Sequence, residues 1–283
     1  GLQGSSGNLL TFVSTFILSG LCFIYKISWA IVNRESVPAW MHNLAQSSCH
    51  QFLSSDEGAD VIKLALVPLA QVFFQCFLAI FLIRLLGAKL MGFRDDAMTE
   101  LAGYISILLI FQSPTSNIGL FLIFHILKKL ITRLIRDCYK SNVYLIAIVS
   151  LVMQYFTFFQ FGGTNSIASA DLSNAYNGVS ENYNIYMVGF MMCFSNFAPT
   201  IYWSTFTWPL IYNSNEKWTN FAKNKLVFLI FNCVSGCSLF AACYALRFHL
   251  FIWSVFSPRL CYFATWNIFM NLIMGWILEG LII

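Results

Sequence analysis

The chain has 283 residues, of which 58% are hydrophobic, 17% aromatic and only 10% charged, with a formal net charge of +4. A soluble domain carries about 25% charged residues, so this chain lacks the charge to cover a water-facing surface, and its scattered Lys and Arg form no patch for nucleic acid. The composition predicts an all-α, polytopic helical membrane protein, one transmembrane domain over 1–283 with about seven or eight membrane segments.

In chain order, residues 1–8 lack both an initiator Met and a basic n-region, so a cleaved signal peptide is not expected. A start that runs straight into a span suggests a piece of something longer. A full span needs about 20 mostly apolar residues, and 9–32, 61–86, 185–206, 225–252 and 259–283 meet that length, with 143–161 a slightly short sixth. Between the second and sixth of these in sequence lies 97–136, where two apolar runs flank "QSPTSN" at 112–117. One helix through that stretch would bury Pro114 and its polar neighbours in the bilayer, where a missing backbone donor is costly.

Charge gives a separate argument. Arg84, Lys89 and Arg94 follow the second span; Lys128, Lys129, Arg133, Arg136 and Lys140 follow residue 127. Cytoplasmic flanks concentrate Lys and Arg, and only two short legs folded at 112–117 put both flanks on that side. Loops 33–60 and 162–184 then fall in the opposite, luminal compartment, and 207–224 in the cytoplasm. Trp29, Trp40, Trp203 and Trp208 lie near span ends, where indoles settle at the headgroup level.

Nine cysteines, most inside apolar segments, suit buried packing rather than a disulfide framework. Cys233 and Cys237 share a helix face, but no His or carboxylate stands near enough in sequence to complete a metal site. The carboxylates are few. Asp95 and Asp96 suit the start of a helix, while Glu181 and Glu279 stand alone. No nucleophile–base pair, carboxylate dyad or metal-ligand spacing is legible, so no catalytic residue is assigned.

Two polar concentrations remain. "GTNSIASADLSNAYNG", after the glycine pair Gly162–Gly163, has roughly helical apolar spacing. A short surface helix there would offer Asn165, Ser166, Asp171 and Asn174 to a sugar or phosphoester headgroup; a loop closed by its own side-chain-to-backbone bonds explains the composition equally. "LRFHLFIWSVFSPRLCY" at 246–262 carries Arg247, His249 and Arg259 where Pro258 is expected to break the helix. Arginine's planar fork suits a lipid phosphate, and snorkelling to the interface needs no ligand. Both readings stay open.

The same two stretches carry a resemblance. "FFQFGGTNSIASADLSNAYNGV", "NFAPTIYW" and "RFHLFIWSVFSPRLCY", with weaker support from "YKISW" and Ser116-Asn117-Ile118-Gly119, closely resemble the C-terminal membrane region of fungal GPI ethanolamine phosphate transferases, nearest the branch acting on the second mannose. The resemblance implies an enzyme of the endoplasmic reticulum membrane that moves ethanolamine phosphate from phosphatidylethanolamine to a mannose of the GPI precursor lipid. It also implies a zinc-bearing, alkaline-phosphatase-like catalytic domain, none of whose motifs stand in these residues, and a small multi-spanning stabilising subunit. This region alone is then expected to be inactive and to hold no cofactor, while supporting lipid substrates, anchorage and assembly. The rival readings are a lipid or solute transporter or scramblase, for which the break at 112–117 would suit a substrate site, and a purely structural anchor.

Overall fold

The computed structural model describes residues 2–32, 56–91, 95–139, 142–163, 184–212, 216–248 and 250–283. Helices make up nearly all of it, and no strand occurs among the described residues. In order these are α1 (Leu2–Val32), α2 (Asp56–Met91), α3 (Asp95–Gln112), a 3₁₀ turn (Thr115–Asn117), α4 (Ile118–Tyr139), α5 (Val143–Gln160), α6 (Ile185–Asn196), α7 (Ala198–Ser204), α8 (Trp208–Ile211), α9 (Lys217–Ala245) and α10 (Leu250–Trp266). The last of these runs on through a π-helical stretch, Asn267–Leu278, into α11 (Glu279–Ile282). The all-α membrane architecture expected from composition is therefore found. Five helices are long and apolar enough to cross a bilayer, and α6 with α7–α8 makes a sixth if that bent pair is one span.

The helix ends follow local chemistry. Asn142 and Asn184 cap α5 and α6, each accepting a bond from a backbone N–H two residues on. At the other end of α5, Gly162 turns the chain with φ 76°, in the left-handed region that glycine adopts without steric cost.

The 112–117 break lies where the sequence puts it. Pro114 has an extended backbone, ψ 151°, between α3 and the 3₁₀ turn. The carbonyls orphaned by the break are taken up from outside: Lys26 Nζ donates to Ser113 O, and Ser195 Oγ donates to Gln112 O at 3.1 Å. Both legs run back along the bent α6–α8 segment. Gln112 meets Ser195 on α6, α3 also packs on α8, and α4 carries Phe121 to Tyr202 and Lys128 to Thr205.

Three expectations need correction. The stretch 185–206 is not one straight helix: it bends by 68° at Phe197. Pro199 in the first turn of α7 has no N–H to give and its ring opposes the carbonyl four residues back, which ends α6. Pro258 does not part the last two spans, because it lies inside α10; the chain turns earlier, at Leu246–Phe248. In membrane helices a proline is tolerated where neighbours satisfy the freed backbone groups. Finally, Trp203 and Trp208 are fully buried, not interfacial. They belong to a dense aromatic core in which Phe124, Tyr202, Trp203 and Phe206 meet edge to face or tilted, with a second group of Phe158, Phe197, Tyr262 and Trp266 beside it.

Candidate functional site

A cavity of about 420 Å³ lies between α5, α9 and α10. Its floor is Tyr155 of α5 with Tyr262 and Trp266 of α10; Tyr155 and Trp266 approach to 4.9 Å between ring centroids. Val234 and Ser238 of α9 form one exposed lip and Arg259 of α10 the other. α9 and α10 approach closely at Gly236, where an added Cβ would stand 3.3 Å from the Phe263 ring.

Arg259 is thus the predicted site residue that the structure puts on a cavity. It makes no hydrogen bond or ion pair with another described residue. Arg247 behaves differently. It sits at the end of α9 with its guanidinium against the rings of Tyr244 and Phe248, 4.1 and 4.4 Å away, and donates to the Tyr244 carbonyl at 3.0 Å. It does not line the cavity. His249 lies outside the described residues, as do Asn165, Ser166, Asp171 and Asn174.

A second polar centre was not legible in the sequence. Glu279 Oε2 accepts from Lys225 Nζ at 2.8 Å and from the Tyr212 hydroxyl at 2.6 Å, while Asn224 Nδ2 donates to the same hydroxyl at 3.1 Å. All four side chains are buried. Ser150, Gln154, Ser204, Thr207 and Asn271 line the small void beside them, about 10 Å³ and so near the size of one water. Asn224 Oδ1 is buried there without a hydrogen-bond partner. Burial of a charge demands such pairing, and here the pair joins the C-terminus of the chain to the start of α9. A second ion pair ties α1, α2 and α3: Arg84 meets Glu100, and Thr11 donates to the same carboxylate at 2.8 Å.

None of these arrangements places a nucleophile beside a base. Among the described residues no three His, Cys, Asp or Glu side chains come together to hold a metal. What the geometry offers is a surface cavity with a cation on its rim, on a bundle fastened by one buried and one partly buried ion pair. That defines a multi-pass helical membrane domain.

Comparison with known proteins gives the family. Residues 3–283 match the model of the GPI ethanolamine phosphate transferase membrane region, and the chain belongs to that family. It is 47% identical over 278 residues to GPI ethanolamine phosphate transferase 2 of Candida glabrata, covering 96% of this chain and 33% of that one. It is 44% identical over 291 residues to the protein of the same name in Saccharomyces cerevisiae (98% and 34%), and 40% identical over 273 residues to that of Kluyveromyces lactis (96% and 32%). The chain thus spans about one third of the length of these relatives. No solved structure matches it.

Proposed function

We propose that this chain is the membrane region of an enzyme that transfers ethanolamine phosphate from phosphatidylethanolamine to a mannose, the second, of the GPI precursor in the endoplasmic reticulum membrane. The single observation that carries the reading is the match of residues 3–283 to the family's membrane region, together with relatives named for that transfer. Loops 33–60 and 162–184 face the lumen on this reading, where the headgroups of both lipids would meet the catalytic domain. Zinc belongs to that catalytic domain on this reading. The membrane region anchors the domain, keeps two lipid-borne substrates near it so that less entropy is lost in bringing them together, and packs against a small multi-spanning subunit. By itself it is inactive.

The test is an assay of the full-length enzyme in membranes. Labelled phosphatidylethanolamine and a GPI precursor are supplied, and mass spectrometry locates the ethanolamine phosphate on the product. Transfer to the second mannose by the whole enzyme, and none by this region alone, is the expected result; transfer to another mannose, or none, overturns the assignment.

The broken α3–α4 hairpin and the bent α6–α7 pair favour one other reading, a transporter or scramblase. The Ser113 and Gln112 backbone carbonyls at the first break are held by Lys26 and Ser195 rather than left open to a passing solute. Reconstituted in proteoliposomes, the chain should pass neither labelled lipid nor ions; robust flux would favour the transporter.

A further inference from the structure

We infer that the cavity between α5, α9 and α10 is a phospholipid site that reads a phosphodiester and one acyl chain and is indifferent to the amine headgroup. Its first support is the isolation of Arg259. Four cations turned toward other helices are matched: Lys26 to the Ser113 carbonyl, Arg84 to Glu100, Lys225 to Glu279, and Lys128 to Thr205 and the face of Tyr202. Arg259 is exposed, meets no hydrogen-bonding or charged partner among the described residues, and faces a cavity. A charge on a membrane span is costly unless an anion accompanies it. The anion that a bilayer supplies at this position is a lipid phosphate, whose oxygens match the guanidinium fork.

The walls supply the rest. A volume of about 420 Å³ lies within the usual range of ligand pockets. Below Arg259 the lining is aromatic and aliphatic (Phe231, Leu239, Phe256 and Phe263 with the floor rings), as an acyl chain requires. The lips are exposed on the surface that lipid covers, so a ligand enters sideways from the bilayer. Ser235 adds a hydroxyl for an ester or a phosphate oxygen, while the Ser238 hydroxyl donates to the Val234 carbonyl at 2.9 Å.

Among the described residues the lining contains no Asp, Glu, Asn or Gln. An ammonium headgroup would call for a carboxylate, and a glycan for amides or carboxylates that bond its hydroxyls. The site therefore holds a phospholipid by its phosphate and leaves headgroup selection to another part of the enzyme. This rests on the reading above only for the enzyme in which it is tested.

The experiment uses the full-length enzyme in nanodiscs with phosphatidylethanolamine or phosphatidylcholine carrying a photoactivatable acyl chain, and peptide mapping of the crosslinks. Both probes should label the α9 and α10 walls, and an excess of either unlabelled lipid should compete. Arg259→Gln should lower groove labelling about tenfold, as loss of one charge-assisted contact predicts, with Arg259→Lys keeping part of it. Ser238→Trp, which fills the cavity, should abolish it. Equal labelling in wild type and Arg259→Gln marks only the lipid annulus and overturns the proposal. So does labelling elsewhere with the groove untouched, or labelling by the ethanolamine probe alone. Transfer activity measured in the same preparation separates these failures from failure of the enzyme assignment.

Discussion

Glu279 and Lys225, which no sequence pattern links, form a buried ion pair at 2.8 Å that fastens the last helical turn of the chain to the first third of α9. The Tyr212 hydroxyl completes the carboxylate's contacts from the end of α8. Removing one partner leaves a charge stranded in a low-dielectric interior. Lys225→Met or Glu279→Leu alone should therefore lower stability by about 3–5 kcal/mol. The double substitution should recover most of that loss, since an apolar pair of similar volume carries no desolvation cost. Thermal denaturation of the whole enzyme in detergent measures both; additive losses in the double variant would contradict the pairing.

Gly275 faces the same pair. A Cβ there would stand 3.1 Å from Lys225 Nζ and 3.2 Å from the Met270 carbonyl. The lysine can yield but the backbone carbonyl cannot easily do so. Gly275→Ala should cost about 1–2 kcal/mol, as modest overpacking does, and the cost should shrink in a Lys225→Met background. An equal cost in both backgrounds would locate the clash at Met270 alone.

The glycine pair after α5 allows a graded test. Gly162 has φ 76°, so Gly162→Ala should cost about 1–2 kcal/mol through backbone strain. Gly163→Ala should cost more, because its Cβ would fall 2.5 Å from Phe158 Cζ, and that ring is buried against Phe197 and Trp266 with no room to swing. Pairing Gly163→Ala with Phe158→Leu should relieve part of the loss. The reverse ranking of the two single variants in a denaturation series would refute this geometry.

The break at Pro114 is held from outside, and that makes an unusual prediction. Pro114→Ala should change stability by less than about 1 kcal/mol, since Lys26 and Ser195 still claim the carbonyls that a continuous helix would need. Lys26→Met should cost about 1–3 kcal/mol, by stranding the buried Ser113 carbonyl. If Pro114→Ala instead stabilises strongly while Lys26→Met is silent, the proline imposes the break by itself.

How much of this was legible in the sequence follows from the range over which each signal acts. The 112–117 break could be read because proline, five polar neighbours and two basic flanks stand close together. The bend at Phe197 was missed because Pro199 sits in an otherwise apolar run, and a membrane proline is as often accommodated as disruptive. Pro258 shows the opposite error: it looked like a boundary and lies within a helix, which carries Arg259 away from the junction and onto a cavity wall. Trp203 and Trp208 resembled headgroup anchors by position alone. A better signal was the run of small hydroxyls around them, Thr200, Ser204, Thr205 and Thr207, because such residues mark helix–helix contact in membranes. Lys225 and Glu279 offered no local clue, since only the folded topology brings them together.

The fastening of α9 near one end has a mechanical meaning. From Lys225 to Ala242 the helix runs 17 residues, about 26 Å at ~1.5 Å per residue. With its foot held by Glu279, the helix is a lever whose far end moves most: a tilt of about 5° displaces Ala242 by roughly 2 Å while hardly changing the distances at the foot. The width of the opening beside Arg259 and the strength of the anchorage are thus separate quantities, so a substitution near Ala242 can alter what the opening admits without loosening the bundle.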